Sequence, residues 1–398
     1  MAGGGGVLGG AGGKSFKGKK NEEKKRALRP GDLPPRRGRA WNPGAGPRPD
    51  GGGGGGQGEE THERLSNVWH EASETLKLPP NVVKGAKELP QVDMDAKEQI
   101  AIKALEERAA HHEKQSQRSG TADSKWLSLV RTSGTAADKI AAATVLAQED
   151  PVANLKSLEH LLNLLEKARV KGGKRGAVQA VGALTELFRD NLLPPDRKLR
   201  YFSEQPLSVS SSAPNERKRL LYWHVEDLVK RAYSRFINAL DALSRDPLPV
   251  LKEKSTKSAY ELLKSRPENE RTLLNILVNK LGDPQRRTAS NAAHLLLELV
   301  SKEHPAMKKI VAKEVESFCF RKGVGLKAQY YAAVLLNQFP LSHHGDGERL
   351  AAQLVEFYFA LFQILHKRSR ENLENGGEEG DAAAGKTEKK RWRDGAKS

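Results

Sequence analysis

Apolar residues recur along this chain at helical intervals. Leu155, Leu158, Leu162 and Leu165 form one stripe, and Val178, Val181, Leu184 and Phe188 form a second, both with the 3.6-residue period of a helix that buries one face. Pro151 is assigned to the first turn of the earlier helix, where a missing amide donor costs nothing, and "KGGKRG" separates it from the next. No segment shows the period-2 alternation of a half-buried strand, so the pattern predicts an all-α fold.

After residue 215 the pattern repeats. "DPLPVLKEKSTKSAYELLKSRP" starts at Asp246, and "DPQRRTASNAAHLLLELVSKEHP" starts 37 residues later at Asp283. In each, an Asp-Pro pair is expected to open a helix, with the carboxylate capping free amides and the proline in the first turn. A second proline, Pro267 or Pro305, leads into a partner helix, "ENERTLLNILVNKLG" or "AMKKIVAKEVESFCF". A less regular third copy follows as "KGVGLKAQYYAAVLLNQF" and "GERLAAQLVEFYFALFQILHK". Helix pairs at this spacing predict a HEAT- or armadillo-like helical-repeat solenoid, in which each pair must stack on its neighbours to bury its apolar face. The product of such stacking is an extended surface that binds partners.

The remaining segments bound this core, which is expected to span about 250 residues. Residues 1–60 are glycine tracts, prolines and basic clusters, with too few large apolar side chains to offset the entropy of ordering, so they are predicted to be disordered. Within them Lys14, Lys17, Lys19 and Lys20, then Lys24, Lys25 and Arg26, read as a candidate nuclear-localisation signal. Residues 61–123 hold two narrow apolar stripes, Leu65, Val68, Trp69, Ala72, Leu76 and then Ile100, Ala101, Ala104, Leu105, Arg108, expected to be peripheral helices joined by "LKLPPNVVKGAKELP". A first helical block over 124–202 begins near Trp126. A serine-rich linker follows at 203–215, the HEAT-like repeats occupy 216–369, and 370–398 form a charged tail predicted to be disordered.

Charge narrows the class of partner. Lysine plus arginine number 67 against 50 aspartates and glutamates, a net charge of +17 with a pI near 9.7, which favours a polyanion, nucleic acid before membrane. No stretch approaches the roughly 18 apolar residues of a membrane helix, and the N-terminus lacks a secretory h-region. A single cysteine, Cys319, excludes an intrachain disulfide and fits a reducing compartment; the expectation is a soluble intracellular protein without membrane contact.

Candidate chemistry is sparse. The glycine runs at Gly3–Gly6 and Gly51–Gly56 are not followed by the Gly-Lys-Ser/Thr of a phosphate-binding loop. His111-His112 and His343-His344 lack ligand partners at metal spacing, and adjacent helical residues point apart. Cys319, between Phe318 and Phe320, reads as a buried inert thiol, and Glu378-Glu379 lie in a glycine-rich segment that cannot fix two carboxylates. No catalytic residue, cofactor, metal or small-molecule substrate is therefore expected. What remains is basic patches beside aromatics: Lys171, Lys174 and Arg175 in "KARVKGGKRG"; Arg197, Lys198 and Arg200 in "DRKLRYF"; Arg286 and Arg287 in "DPQRRTAS"; Arg321, Lys322 and Lys327 in "RKGVGLKAQYY". At inter-helix turns such cations can form a track for an RNA backbone, or each can pair with a neighbouring acid. Tyr201 and Phe202 are expected to anchor their segment to the stack while the cations stay outside.

"SGTAADKIAAATVLAQEDPVANLKSLEHLL", "LLPPDRKLRYFSEQPL", "LVNKLGD" and "LKAQYYAAVLLNQ" together resemble the family that contains the yeast nucleolar complex protein Mak twenty-one and animal CCAAT/enhancer-binding protein zeta. The resemblance runs from about Trp126 to Leu365. It implies a nucleolar, non-enzymatic assembly factor for the large ribosomal subunit, acting with a second nucleolar-complex protein on precursor particles that contain pre-ribosomal RNA. Family members continue into a further helical region, the CCAAT-binding-factor domain, so this sequence is expected to be the N-terminal and central part of a longer pattern. Two other functions stay open: a CCAAT-box DNA-binding transcription regulator, although no helix-turn-helix, zinc finger or basic zipper is present, and a purely protein-binding solenoid.

Overall fold

The computed structural model describes residues 69–78, 90–119, 122–171, 174–210, 215–343 and 345–374, all within one compact unit. The candidate localisation lysines, the glycine-rich segment 1–60 and the charged segment from 375 onward lie outside the described residues.

Every regular element among the described residues is helical. α1 (Trp69–Glu74), α2 (Gln91–Ser119) and α3 (Ala122–Ser133) precede α4 (Ala136–Glu149), α5 (Leu155–Lys171) and α6 (Lys174–Leu187). A short α7 (Leu207–Ser210) leads to α8 (Glu216–Ser244), α9 (Pro249–Ser265) and α10 (Glu270–Asn279). α11 (Arg286–Glu298), α12 (Lys308–Cys319), α13 (Leu326–Asn337) and α14 (Asp346–Glu374) are the last α-helices among the described residues.

The chain alternates between two rows of helices. α4, α6, α9, α11 and α13 form the first row, each packing on the next, and α5, α8, α10 and α12 form the second in the same way. α14 extends the second row: Gln353 Nε2 donates to Glu316 of α12 at 2.9 Å, and the Phe357 ring meets Phe320 at 5.5 Å. This arrangement is consistent with a helical solenoid. One hydrophobic core runs through both rows, from Trp69 to Leu361. Small residues make the close contacts possible: Ala177, Ala180 and Gly182 let α6 approach α4 and α9, and a Cβ at Gly182 would stand 3.2 Å from Lys254 Nζ.

The core does not begin at Trp126. That indole is 55% exposed, whereas Trp69, on a segment expected to be peripheral, is 3% exposed and donates its Nε1–H to the Leu192 carbonyl at 3.0 Å. α2 lies along α8, and its Ala101 closes a second apolar cluster with Phe202, Leu207, Leu220 and Trp223. Both indoles sit in short amphipathic stretches, and only the neighbouring helix decides which one is covered.

The Asp-Pro pairs do not open their helices from within. α5 starts at Leu155, α9 at Pro249 and α11 at Arg286, so Pro151, Pro247 and Pro284 all stand ahead of the first turn. A residue before proline is kept out of the helical region, and each aspartate instead folds its carboxylate onto the amide two residues on. Asp150 accepts from Val152 at 3.0 Å, Asp246 from Leu248 at 2.8 Å and Asp283 from Gln285 at 3.0 Å. Each carboxylate also takes a cation from another helix: Arg108 at 2.9 Å, Lys174 at 3.3 Å and Lys252 at 3.0 Å, respectively. Asp283 is the most enclosed of the three and has a second ammonium, Lys280, at 3.6 Å.

"DRKLRYF" is a strap held by its backbone. After α6 the helix widens into a π-turn at Phe188–Leu192, which stacks Phe188 on Phe236 with centroids 5.4 Å apart and ends before Pro194. The extended chain that follows is bound by three buried carboxylates, Glu226 and Asp227 on α8 and Glu268 before α10. Glu268 accepts the Leu199 amide at 2.7 Å, Glu226 the Arg200 amide at 2.9 Å, and Asp227 the Phe202 amide at 3.3 Å. Glu226 is also paired with the Arg197 guanidinium and accepts from Gln205 Nε2 at 3.3 Å. Lys230 donates to the Leu199 carbonyl at 2.6 Å and sits over the Tyr201 ring at 4.7 Å. Phe202 is the buried anchor; Tyr201 stays partly exposed, and Arg197, expected outside, is drawn against a buried acid.

Two stability experiments follow from these contacts. Asp283→Ala leaves two buried ammonium groups without their carboxylate and is expected to cost about 3–5 kcal/mol in urea unfolding, against about 1 kcal/mol or less for the more exposed pair lost in Asp246→Ala. Burial alone would raise the Asp283 carboxyl, but the Gln285 amide and the Lys252 and Lys280 ammoniums outweigh it and hold it below the ordinary carboxylate range. Its contribution is therefore present above about pH 4 and drains away as pH falls through the lowered folded value, so the gap between wild type and Asp283→Ala should narrow in acid. Glu226→Ala removes the acceptor shared by Arg197, Arg200 and Gln205 and is expected to destabilise by about 3 kcal/mol, with hydrogen exchange at the 197–205 amides accelerating first.

Candidate nucleic-acid interface

The two-row path sorts the turns onto two edges. Turns that return from the second row to the first share one edge, where Lys174 meets Asp246, Lys252 meets Asp283, Lys280 donates to the Ser244 carbonyl and Arg321 donates to Asn279 Oδ1 at 2.8 Å. Turns from the first row to the second share the opposite edge, where Arg266 donates to the Arg189 carbonyl, Lys264 meets Glu303 at 2.6 Å and Lys198 meets Glu270 at 2.9 Å.

Three of the four basic patches fall on the first of these edges. Lys174, at the start of α6, is half-exposed and committed to Asp246. Arg175 is exposed with no ion pair among the described residues, and Lys171 closes α5 with its side chain outside them. At the start of α11, Arg286 is exposed and unpaired among the described residues, whereas Arg287 reaches Glu253 at 3.3 Å from a highly exposed position. Lys322 and Lys327 flank the turn into α13, both exposed and without an ion pair among the described residues. The fourth patch is elsewhere: Arg197, Lys198 and Arg200 lie on the opposite edge, and of the three only Arg200 presents an exposed side chain without an acidic partner among the described residues.

Arg321 belongs to a built feature. It lines an open groove of roughly 450 Å³ that runs along α10 from Arg271 at its start to Asn279 at its end, between the last turn of α8 with Arg245 and the second half of α12. The guanidinium of Arg245 is tethered to Asp241 at 2.6 Å, that of Arg321 to Asn279, and Arg271 is exposed with no ion pair among the described residues. Thr272, Asn275, Asn279 and Ser317 supply neutral hydrogen-bonding groups, and Glu314 an acid. Planar guanidiniums beside hydroxyls and amides suit phosphate oxygens and sugars, the groups that dominate backbone contact with nucleic acid. Arg245 and Arg271 carry no signal in the sequence, since each is a single cation in "LSRDP" or "NERTL" and only the row of helices brings them beside Arg321.

Other candidate groups are placed as follows. Cys319 is buried, and burial with the nearby Glu316 charge pushes its thiol up to about 12. His111 and His112 occupy successive positions of α2, and His344 lies outside the described residues. Among the described residues no three His, Cys, Asp or Glu gather as a metal-binding group, and no helix is long and apolar enough to cross a membrane.

No protein-family model matches the chain. Curated relatives do. SLOW WALKER 2 of Arabidopsis thaliana is 42% identical over 261 residues, 66% of this chain and 24% of the relative. Human CCAAT/enhancer-binding protein zeta is 41% identical over 252 residues, 62% of this chain and 23% of the relative. Ribosome biogenesis protein NOC1 of Chaetomium thermophilum is 37% identical over 281 residues, 66% of this chain and 26% of the relative. The chain spans about a quarter of the length of the curated relatives it matches. Over the matched stretch, about 65% of its length, the chain belongs to the family of nucleolar complex protein 1 and CCAAT/enhancer-binding protein zeta.

Proposed function

We propose that this chain is a non-enzymatic scaffold in assembly of the large ribosomal subunit, working in the nucleolus, with the edge of its second-to-first-row turns and the adjoining groove against pre-ribosomal RNA. The observation that carries the reading is the convergence of Arg245, Arg271 and Arg321 on one open groove, in a chain whose relatives include proteins named for ribosome biogenesis and for a nucleolar complex. The net charge of +17 supports a polyanionic partner, and Arg175, Arg286, Lys322 and Lys327 lie along the edge to which Arg245 and Arg321 bring the groove. A second nucleolar-complex protein is the protein partner in this reading, and Lys14, Lys17, Lys19, Lys20, Lys24, Lys25 and Arg26 direct nuclear import. Membrane and small-molecule substrates have no part in it.

Edge placement separates the cations by role. Arg197 serves the strap, so its charge reversal would disturb folding, and Lys198 and Arg200 do not line the groove. Binding to a structured pre-ribosomal RNA fragment is the direct test, measured by filter retention over a range of salt. Replacing Arg245, Arg271 and Arg321 together by Gln is expected to weaken binding at least about tenfold at physiological salt and to reduce the slope of log K against log salt by about 2. Lys198→Gln with Arg200→Gln should leave both within about twofold. In cells the tagged chain should co-sediment with large-subunit precursors and the triple variant should not. A CCAAT duplex bound more tightly than its scrambled counterpart would instead favour sequence-specific DNA recognition.

A further inference from the structure

Only polar side chains line the groove along α10 among the described residues. Arg271, Asn275 and Asn279, spaced i, i+4, i+8, mark one face of that helix about 12 Å long, with α8 on one side of it and α12 on the other. No aromatic ring is among the lining groups. The Phe318 ring, 5.8 Å from the Arg321 guanidinium, is 4% exposed, and Phe320 faces Phe357 at 5.5 Å. Proteins that hold unstacked bases do so on exposed aromatic faces, so these groups suit the ribose-phosphate backbone instead.

Within this cationic lining one group is out of place. Of its two acids, Asp241 is committed to Arg245, which donates to both carboxylate oxygens at 2.8 and 2.6 Å. Arg321 is committed to Asn279 Oδ1 at 2.8 Å. That leaves Glu314, half-buried on α12, with neither an ion pair nor a side-chain hydrogen bond among the described residues. A phosphate is repelled by such a carboxylate, so a backbone that enters the groove must bring a donor to it. The ribose 2′-hydroxyl is the one donor that a nucleic-acid backbone carries along its length, and DNA lacks it. Thr272 and Ser317 add hydroxyls, but a hydroxyl serves phosphate and ribose alike and discriminates less.

We propose that Glu314 is a specificity-determining residue of the groove: its carboxylate accepts a ribose 2′-hydroxyl while the guanidiniums hold phosphates, so the groove takes RNA and rejects DNA. The inference rests on the proposed RNA contact and adds to it the group that tells RNA from its deoxy counterpart. A backbone without the hydroxyl leaves the carboxylate desolvated beside phosphates with no donor, and the cost falls on that ligand alone.

The test uses the full chain and two forms of one structured pre-ribosomal RNA fragment: the natural RNA, and the same sequence with 2′-fluoro groups, which keep the A-form shape and remove the donor. Filter retention at fixed salt is expected to give at least about fivefold tighter binding of the natural form by the wild type. Glu314→Ala should bind the two forms within about twofold of each other, chiefly by gaining affinity for the fluoro form. Its thermal unfolding midpoint should not change, since Glu314 has no partner among the described residues to lose. Arg271→Gln should weaken both forms by the same factor, as loss of a phosphate contact does. The inference fails if the wild type binds both forms equally. It fails also if Glu314→Ala raises both affinities and keeps the wild-type ratio, for then the acid only tempers the charge of the groove. Binding of neither form by the wild type would overturn the proposed RNA contact itself, and the inference with it, a result distinct from the other two.

Discussion

Carboxylates withdrawn from water hold the turns of this protein together on both edges. A buried carboxylate is tolerated when donors satisfy it, and here the donors come from two places at once: the amides of a turn and a side chain of a neighbouring segment. Asp283 joins the Gln285 amide to Lys252, and Glu226 joins the Arg200 amide to the Arg197 guanidinium. One acid therefore fixes a local backbone shape and the position of the element beside it. The apolar faces supply most of the burial, but they are tolerant of sliding; the carboxylates with their directional partners are not.

This arrangement also decides how the excess positive charge is divided. Arg108, Lys174, Lys252 and Arg197 are consumed inside the fold by the acids that hold the turns. Arg175, Arg286, Lys322 and Lys327, without ion pairs among the described residues, are left facing water along the edge of second-to-first-row turns, and Arg271 in the groove along α10. Helix packing sets where these cations leave the backbone, while their side chains stay exposed and unpaired among the described residues. No comparable convergence of titratable groups surrounds Cys319, whose thiol is shut into the core.

Surface character thus differs from place to place on one scaffold. The groove along α10 is cationic and hydrogen-bonding, the edge of first-to-second-row turns is crossed by the strap with its acids turned inward, and α13 and α14 each expose an apolar stripe. Each follows from the position of an element in the stack. Inner repeats bury both sides of a helix pair, whereas the last pair has one side that no described element reaches.

Local periodicity determined the helices. The leucines of α5, the valines of α6 and the repeated Asp-Pro units after residue 215 specified all-α structure and its pairing, because a 3.6-residue stripe has no other stable use in water. The resemblance of the motifs indicated the family. Contacts between residues far apart in the chain were beyond that reading. Trp69 became core and Trp126 surface because one indole met the Leu192 carbonyl and the other met solvent. "DRKLRYF" read as a row of cations, yet its amides are what the fold uses, and a backbone amide leaves no mark in a sequence. Arg245, Arg271 and Arg321 became neighbours only when α8, α10 and α12 lined up. Helical spacing is written within one turn of chain, while burial, pairing and convergence depend on which helix comes to lie alongside.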